Sequence, residues 1–449
     1  MLDLRRTLIA TVACVLIPGA ATAQSLSAAY QAALDRDPEW RGAREDAEAL
    51  SEGDAQARAL FRPKVGATAG AGYGRTTADV TLPAPVQDID RLRLSGTTLD
   101  ASVSVQQPIL NGQASAQARE LRAGSKAGAA QLEGARQQLM LRVSEMYFAV
   151  LAARDELASI QAQEVSARRE QRAAQARFDA GRAKITDVRE AQARADGAVA
   201  QAIDAGAKLE VATARFGELT GLDGTAVVAV RSDLVPVVPE GALAQWQGRG
   251  EATSPAVIAR SHAADAASAR VGEFTWGSRV RVDATAGVNE LRFPGGDKGF
   301  ASVDRIGGYT AALRLQVPLY TGGGLESQRR QAAAQARSAR EQLDAARRDV
   351  RLNVQQAWSG QSSSVAGIAA LRTALASAQL QEKAAITGRE VGVRTQSDVL
   401  LAQALVIETE KRLGDAIRTY ERSRLALYAA AGELNEKSLD EIDRDLGGS

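Results

Sequence analysis

The sequence predicts a mainly α-helical chain with a β-barrel portion of four strands, built as an internal tandem duplication. Three observations predict this fold class. The stretch from Gly112 to Ala180 contains no proline and carries apolar residues at heptad spacing, which is typical of a long coiled-coil helix. The same spacing returns 211 residues later. Four further segments of about ten residues alternate apolar and polar side chains, as strands with one apolar face do.

The first long helix needs a partner helix along its length. At ~1.5 Å per residue it would extend roughly 100 Å, several times the mean helix of a globular domain. A compact single domain has no room for such an element. The seam consists of Leu139, Val143, Met146, Val150, Ala153, Leu157 and Ile160.

A weaker seam lies at the same phase in the second half of the chain. An offset of 211 residues also relates Gly181 to Gly392 and Asp187 to Asp398. Each half is therefore predicted to carry one long helical hairpin. The second seam consists of Val350, Val354, Ala357, Gln361, Ser364, Ile368 and Leu371.

The N-terminus predicts export. Arg5 and Arg6 precede an apolar run, and small residues end at Ala23, which is the pattern of a cleaved signal peptide over residues 1–23. Cys14 is the only cysteine and lies inside that run. The mature chain is therefore expected to hold no thiol for a disulfide, a metal or catalysis.

Composition argues against several function classes. A formal net charge of +1 gives no electrostatic reason to expect nucleic acid as a partner. The single histidine, His262, lies on an alanine-rich segment, where a packed or solvated position is expected. The sequence offers no set of nucleophile, base and orienting group. We therefore expect no enzyme, no catalytic residue, no metal site and no cofactor.

The four alternating segments match the ~9 to 11 residues of a tilted transmembrane strand. They cover residues 65–75, 92–107, 280–288 and 309–319 and are predicted to form two hairpins. Four strands cannot close a barrel, and lipid does not tolerate an open sheet edge, so several chains would have to share one barrel. The alternative is a soluble sheet whose apolar face rests on helices. In that case the protein would be a soluble periplasmic coiled-coil adaptor or scaffold without a pore.

Each strand pair is predicted to lead into its long helix through a proline and a glycine. Pro108 and Gly112 follow the first pair, and Pro318 and Gly322 follow the second. The proline is expected to end the strand pairing, and the glycine to allow a sharp change of direction.

The predicted domain order follows from these elements. After the signal peptide come a first repeat, a linker region, a second repeat and a C-terminal tail. Their bounds are 24–220 (strands 64–107, hairpin 112–220), 221–250, 251–435 (strands 278–319, hairpin 324–432) and 436–449.

Three short motifs occur in order across the mature chain. They are Ile185-Thr186-Asp187-Val188, Val317-Pro318-Leu319-Tyr320-Thr321-Gly322-Gly323, and Val391-Gly392-Val393-Arg394-Thr395 followed by Asp398-Val399-Leu400. With these motifs the sequence resembles the TolC family of outer-membrane efflux and secretion channels. The resemblance implies a homotrimer in which each chain gives four strands to a twelve-stranded barrel in the cell outer membrane. The helices would form a tunnel through the periplasm.

The same resemblance implies the partners and the role. The family works with a periplasmic adaptor, also called a membrane fusion protein, and with an inner-membrane transporter, either an ABC transporter or a proton-driven pump. The outer-membrane lipid surrounds its barrel. The chain is therefore expected to be an exit duct for type I protein secretion or efflux.

The resemblance also assigns roles to the two helix-to-helix turns. The turns at Gly181 and at Gly392 with Val393 would form the closed periplasmic entrance and dock the adaptor. Asp398 matches an acid that lines the entrance, where three chains would form a ring of carboxylates. Asp398 also lies three residues after Thr395, as in a helix capping box, and both roles stay open.

Arg394 matches a basic residue that links neighbouring helices in the family, with Thr186 and Asp187 matching its partners. The alternative is a surface arginine near a helix end. Two departures from the family pattern predict that the contacts that hold the entrance closed, here called the closing network, are weaker or involve different residues. Leu401 stands where some members carry a second acid, and Arg389 where some carry a tyrosine.

Overall fold

The computed structural model describes residues 24–80, 89–228, 231, 233–292, 294 and 305–447 of the 449-residue chain. The predicted signal peptide lies outside the described residues, as do the last two residues of the predicted tail. The described helices are α1 (Leu26–Arg36), α2 (Pro38–Ala59), α3 (Gly112–Asp179), α4 (Ile185–Thr220), α5 (Leu243–Thr253), α6 (Pro255–Glu273), α7 (Gly324–Glu390), α8 (Gln396–Ala430) and α9 (Glu436–Leu446). The described strands are β1 (Lys64–Val80), β2 (Ile89–Asn111), β3 (Arg281–Arg292) and β4 (Arg305–Gln316).

The chain divides into two compact units. Unit 1 comprises Met1–Arg41, Arg136–Gln245 and Val354–Ser449, and unit 2 comprises Gly42–Ala135 and Trp246–Asn353. Each unit draws residues from both sequence repeats, because the boundaries fall within helices α2, α3, α5 and α7.

Unit 2 contains the four strands as one continuous antiparallel sheet in the order β1-β2-β3-β4. The two predicted hairpins are therefore joined, since β2 also pairs with β3. The first hairpin is longer than predicted, with strands of 17 and 23 residues. Pairing continues past residue 75 as far as Val80, which lies opposite Ile89.

The expectation that proline ends the strand pairing is wrong at Pro108. There β2 runs on to Asn111, and Pro108 itself lies opposite Asp283 of β3. A bulge follows it, between Pro108 and Leu110. Proline is tolerated here because β1 begins at Lys64, opposite Gln106, so β2 has no neighbour on that side beyond Gln106. Pro318 lies after the end of β4, as expected.

The predicted C-terminal tail is largely a helix, which we did not expect from the sequence. Leu439, Ile442 and Leu446 of α9 are buried in the main apolar core of unit 1. Their spacing of three and four residues puts them on one face of the helix. Helix α9 therefore packs as part of the folded unit.

Both heptad seams point inward. Leu139, Val143 and Val150 of the first seam are buried in the core of unit 1, together with Tyr30 and Phe216. Val354 and Ile368 of the second seam are also fully buried. The remaining seam positions are half-buried, namely Met146, Ala153, Leu157 and Ile160 in the first seam and Ala357, Ser364 and Leu371 in the second. Every helix in the described ranges falls short of the length or the apolarity that a bilayer-spanning helix needs.

Candidate functional site

The first helix-to-helix turn joins α3 to α4 around Gly181. This glycine has a φ of 69°, which an L side chain adopts only with strain. The Arg182 N–H donates to the Arg177 carbonyl at 2.7 Å, and the Gly181 N–H donates to the Phe178 carbonyl at 2.8 Å. These are the two hydrogen bonds of a Schellman motif, which satisfies the last carbonyls of the helix.

The second turn, which joins α7 to α8, has the same backbone. Gly392 has a φ of 80°. The Val393 N–H donates to the Gly388 carbonyl at 2.8 Å, and the Gly392 N–H donates to the Arg389 carbonyl at 3.1 Å. Each of these residues follows its counterpart in the first turn by 211 positions. The duplication therefore preserves the turn down to its hydrogen bonds.

A small apolar cluster supports each turn, and it is duplicated as well. In each cluster one alanine of the outgoing helix packs against a valine and an alanine of the returning helix. The first cluster consists of Ala174, Val188 and Ala191, and the second of Ala385, Val399 and Ala402. The small alanine side chains permit close approach of the two helices. The packed cluster therefore holds the two helix ends together directly below each turn.

The returning helices start with equivalent acids. In the first turn the Asp187 carboxylate accepts the Lys184 N–H at 3.2 Å. In the second, the Asp398 carboxylate accepts both the N–H and the O–H of Thr395 at 2.8 Å. The Asp398 N–H donates in return to the Thr395 hydroxyl at 3.2 Å, so the predicted capping box is present.

The cap also controls the charge of Asp398. Hydrogen bonds from Thr395, first from its backbone N–H and then from its hydroxyl, hold the pKa of Asp398 below its ordinary value. The positive charge of Arg394 acts in the same direction. Asp398 is half-buried, so the second turn presents a partly accessible carboxylate that stays ionised well below neutral pH.

The Arg394 side chain fills the space beside Gly388 that a larger residue at position 388 would occupy. Its Cγ atom lies 2.7 Å from where a Cβ atom on Gly388 would be. In the first turn the equivalent pair is Arg177 and Ala183, so the large and the small residue have changed places. The two turns share a backbone, and the second one is built to hold an arginine side chain over its last helical turn.

Within one chain, the described structure does not place the predicted partners of Arg394 in contact with it. Among the described residues, no hydrogen bond or ion pair joins Arg394 to Thr186 or Asp187, which lie in the other turn. Of the two departures from the family pattern, Arg389 donates to the Gln396 side chain at 3.0 Å and Leu401 is exposed. The second turn therefore has its own short link across the helix pair, between Arg389 and Gln396.

The second turn also exposes apolar surface at its tip. Val393 is 76% exposed, and Val391 on the other side of Gly392 is similarly open. Within the described ranges, no three His, Cys, Asp or Glu side chains come together as metal ligands. The chemistry that this tip offers is charge and apolar contact area.

The two strand-to-helix junctions differ in construction. In the first, the Asn111 side chain accepts the Ala114 N–H at 3.0 Å and caps α3 directly at the end of β2. A Cβ atom on Gly112 would lie 2.6 Å from Ser278 Cα, so only glycine fits. In the second, Gly322 and Gly323 have φ values of 64° and 81° and separate β4 from α7.

Two buried tyrosines in unit 1 hold the linker region, and the sequence analysis missed them. The Tyr147 hydroxyl accepts the Val228 N–H at 3.1 Å, and the Tyr420 hydroxyl accepts the Val237 N–H at 2.9 Å. Burial raises the pKa of both hydroxyls above the ordinary value. The scarcity of aromatic residues in the chain was the available signal, since each one then carries more of the core.

Comparisons with known proteins agree with this architecture. The family described as outer membrane efflux protein matches residues 29–222 and 250–433. The outer membrane protein TolC of Vibrio cholerae is 25% identical over 96% of this chain and 95% of its own length. The alkaline protease secretion protein AprF of Pseudomonas aeruginosa is 27% identical over 92% of this chain and 85% of its own length. The crystal structure of the Campylobacter jejuni CmeC outer membrane channel superposes with a TM-score of 0.75, at 14% identity, over 94% of this chain and 89% of that one.

Long helical hairpins joined to a meander of four membrane-type strands define a channel protein of the outer membrane. The chain belongs to the outer membrane efflux protein family. The resemblance to the TolC family that the short motifs indicated is thereby confirmed, together with the mainly helical fold class.

Proposed function

We propose that three copies of this chain form one duct that carries cargo from the periplasm to the cell exterior. Type I protein secretion and efflux both need such a duct. The relative named AprF is a secretion protein by name, and the family is named for efflux. The chain itself would do no chemistry, and an inner-membrane transporter would supply the energy.

The observation that carries the proposal is the exposure of the sheet on both faces. All twelve residues of β4 are exposed, and so is β1 from Lys64 to Arg75. Tyr309 and Leu313 on the apolar face of β4 are 86% and 76% exposed. A soluble sheet would bury such a face against helices, so the soluble adaptor or scaffold is disfavoured. Lipid is the environment that fits this face.

Closure of the sheet requires further copies of the chain. β1 and β4 form its two edges, and an edge with unpaired N–H and C=O groups is not tolerated in lipid. β4 of one copy can pair with β1 of the next in the same antiparallel sense as the pairs within the chain. Three copies then give twelve strands, an even number in the range of outer-membrane barrels.

The polar face of the sheet fits a water-filled lumen. Arg314 lies opposite Asp283, and the Thr68 and Ser102 hydroxyls are 2.8 Å apart across β1 and β2. Barrels of this size enclose water, and polar interior side chains are satisfied there. The two faces therefore match the two environments that a pore wall separates.

The domain layout fits the same proposal. The first repeat (24–220) and the second (251–435) would each give two strands and one helical hairpin, with residues 221–250 between them. The turns at Gly181 and Gly392 would form the periplasmic entrance, where Val391 and Val393 offer apolar area to an adaptor. Asp398 from three chains would form a ring that favours cations over anions.

Purification in detergent followed by planar-bilayer recording tests the proposal. The mature chain, residues 24–449, should migrate as a trimer that dissociates on heating and should give discrete conductance steps. A chain that is monomeric in plain buffer and adds no conductance to a bilayer would overturn the proposal in favour of the soluble scaffold.

A further inference from the structure

Three charged side chains lie on the apolar face of the sheet, at the ends of β3 and β4 that are far from the helices. One cross-strand row of this face is Ala67, Val103, Val288 and Tyr309. Successive side chains of a strand alternate between faces, so Glu290 and Arg292 lie on the same face as Val288. Arg305 is paired directly with Arg292 and shares that face.

The three side chains form a cluster with an excess of positive charge. The Glu290 carboxylate accepts from Arg292 and, at 2.8 Å, from Arg305. One carboxylate thus serves two guanidinium groups, each of which has five N–H donors. The Arg292 and Arg305 side chains are 60% and 64% exposed, so most of those donors face outward. Like charges directly opposite in a sheet are destabilising, and an added anion would relieve that cost.

The position of the cluster follows from the apolar band, and this step rests on the proposed function. Tyr309, Leu313 and Leu315 are exposed on one face of β4, and Leu319 and Tyr320 are exposed just beyond its end. At ~3.3 Å per residue, the strand from Tyr309 to Gln316 covers roughly 23 Å, and Leu319 and Tyr320 extend the apolar surface further, toward the ~25 Å apolar band of an outer-membrane barrel. Tyrosines then lie at both borders, where they are enriched in membrane proteins.

Arg292 and Arg305 lie past Tyr309, at the level of lipid headgroups. β4 leads into α7 at its other end, so this level belongs to the leaflet away from the periplasm. We propose that Arg292 and Arg305, positioned by Glu290, bind a phosphorylated lipid headgroup of that outer leaflet. The paired guanidiniums match phosphate oxygens in bidentate geometry, and Glu290 holds them side by side. The acyl chains would lie against Val288, Tyr309 and Leu313, which a free phosphate ion could not use.

The test uses the detergent-purified trimer and three probes: lipid A with two phosphates, monophosphoryl lipid A and inorganic phosphate. Native mass spectrometry measures lipid retention. The wild-type trimer should retain the two-phosphate lipid best, and inorganic phosphate at the same concentration should neither bind nor compete with it. The Arg292→Gln/Arg305→Gln variant should bind it about tenfold more weakly, the loss expected from one or two charge-assisted hydrogen bonds.

Arg314→Gln is the matched control, because Arg314 lies on β4 but on the polar face. It should retain the lipid as the wild type does. Glu290→Gln keeps a side-chain oxygen that can accept from the arginines but removes the negative charge that repels phosphate, so this variant should bind at least as tightly. It provides a second test if the double variant folds poorly, because weaker binding by Glu290→Gln would contradict the headgroup site. Equal retention by the wild type and the double variant, or full competition by inorganic phosphate, would overturn the headgroup site. Native mass spectrometry also reports the mass of the assembly, so an intact trimer without lipid retention would overturn the headgroup site and leave the proposed duct standing.

Discussion

Asp443 of α9 caps helix α1 at Leu26. Its carboxylate oxygens accept the backbone N–H groups of Leu26 and Ser27 at 2.6 and 2.9 Å. The first N–H groups of a helix have no partner within the helix, and an acid at this end also interacts favourably with the helix dipole. The two ends of the described chain are thereby held together in unit 1.

Asp443→Ala should destabilise unit 1 by about 1 to 3 kcal/mol, since it leaves buried N–H groups without an acceptor. Thermal unfolding followed by circular dichroism in detergent would measure this. Asp440→Ala is the control, because Asp440 is exposed on the same helix. Equal melting of the two variants would show that the cap contributes nothing.

Glu421 is a buried acid that should make stability depend on pH. Its side chain has no exposed surface, and neither carboxylate oxygen has a hydrogen-bond partner among the described residues. Burial raises the pKa of Glu421 to about 8, opposed by Arg424 at 3.7 Å and assisted by the negative charge of Asp445. The folded state therefore holds this proton more tightly than the unfolded state does.

Because the folded pKa is the higher one, this stabilisation is present in acid and is lost as pH rises from the ordinary carboxyl range through about 8. Glu421→Gln has no carboxyl group to ionise at this position, so it should avoid the wild type's loss of unfolding free energy, on the order of a few kcal/mol. The stability of the variant relative to the wild type should therefore grow with pH. Melting temperatures at pH 5, 7 and 9 would show this trend. Glu410→Gln, exposed on the same helix, should follow the wild type, and parallel curves for Glu421→Gln would refute the assignment.

The two faces of β4 should respond oppositely to a new charge. Leu313→Arg places a guanidinium on the apolar face and should cost about 2 to 4 kcal/mol near the bilayer midplane. Ala312→Arg points to the polar face of the same strand and should be tolerated. Heat-modifiable migration of outer-membrane extracts would report the trimer. Equal loss of trimer in both variants would contradict the assignment of the faces.

Gly388→Ala should act like Arg394→Ala. The added methyl group would lie 2.7 Å from Arg394 Cγ, so the arginine must leave its place while its charge is kept. If Arg394 in its position against Gly388 helps to close the entrance, both variants should raise single-channel conductance. Gly367→Ala on the same helix meets no atom within 4 Å and should conduct as the wild type does. Unchanged conductance in both test variants would remove Arg394 from the closing network.

Asp398 should give the channel a block by multivalent cations that survives mild acid. Because its pKa lies below the ordinary value, the carboxylate should stay charged when pH falls from 7 to 5. Asp398→Asn should relieve the block, while Asp187→Asn tests the equivalent cap in the first turn. Bilayer recordings with added trivalent cation would separate the two acids. A block that weakens steadily over that pH range would point to a different group.

The periodic features of the chain were readable from sequence, because long seams and strand alternation repeat over many residues. The capping box at Thr395 and Asp398 was also readable, since its contacts are local. Helix α9 was missed although Leu439, Ile442 and Leu446 carry a helical period, because a segment of eleven residues seldom folds without a partner surface.

Contacts between distant segments were not readable. Nothing in the local sequence marks Glu421 as buried, since charged residues are frequent on α8 and half of them are exposed. The exchange of large and small residues between Gly388 and Arg394 became visible only when the two turns were compared in space. The continuation of β2 through Pro108 depends on its two neighbours, because β1 reaches only as far as Gln106 whereas β3 pairs with β2 up to Asn111.

The unequal strand-to-helix junctions have a mechanical consequence. β2 passes into α3 without an intervening residue, so α3 cannot turn about its axis unless β2 parts from β3. Residues 317–323 stand between β4 and α7, and the two left-handed glycines among them can absorb such a turn. The start of α3 is therefore fixed to the sheet, whereas the start of α7 is free to rotate relative to it.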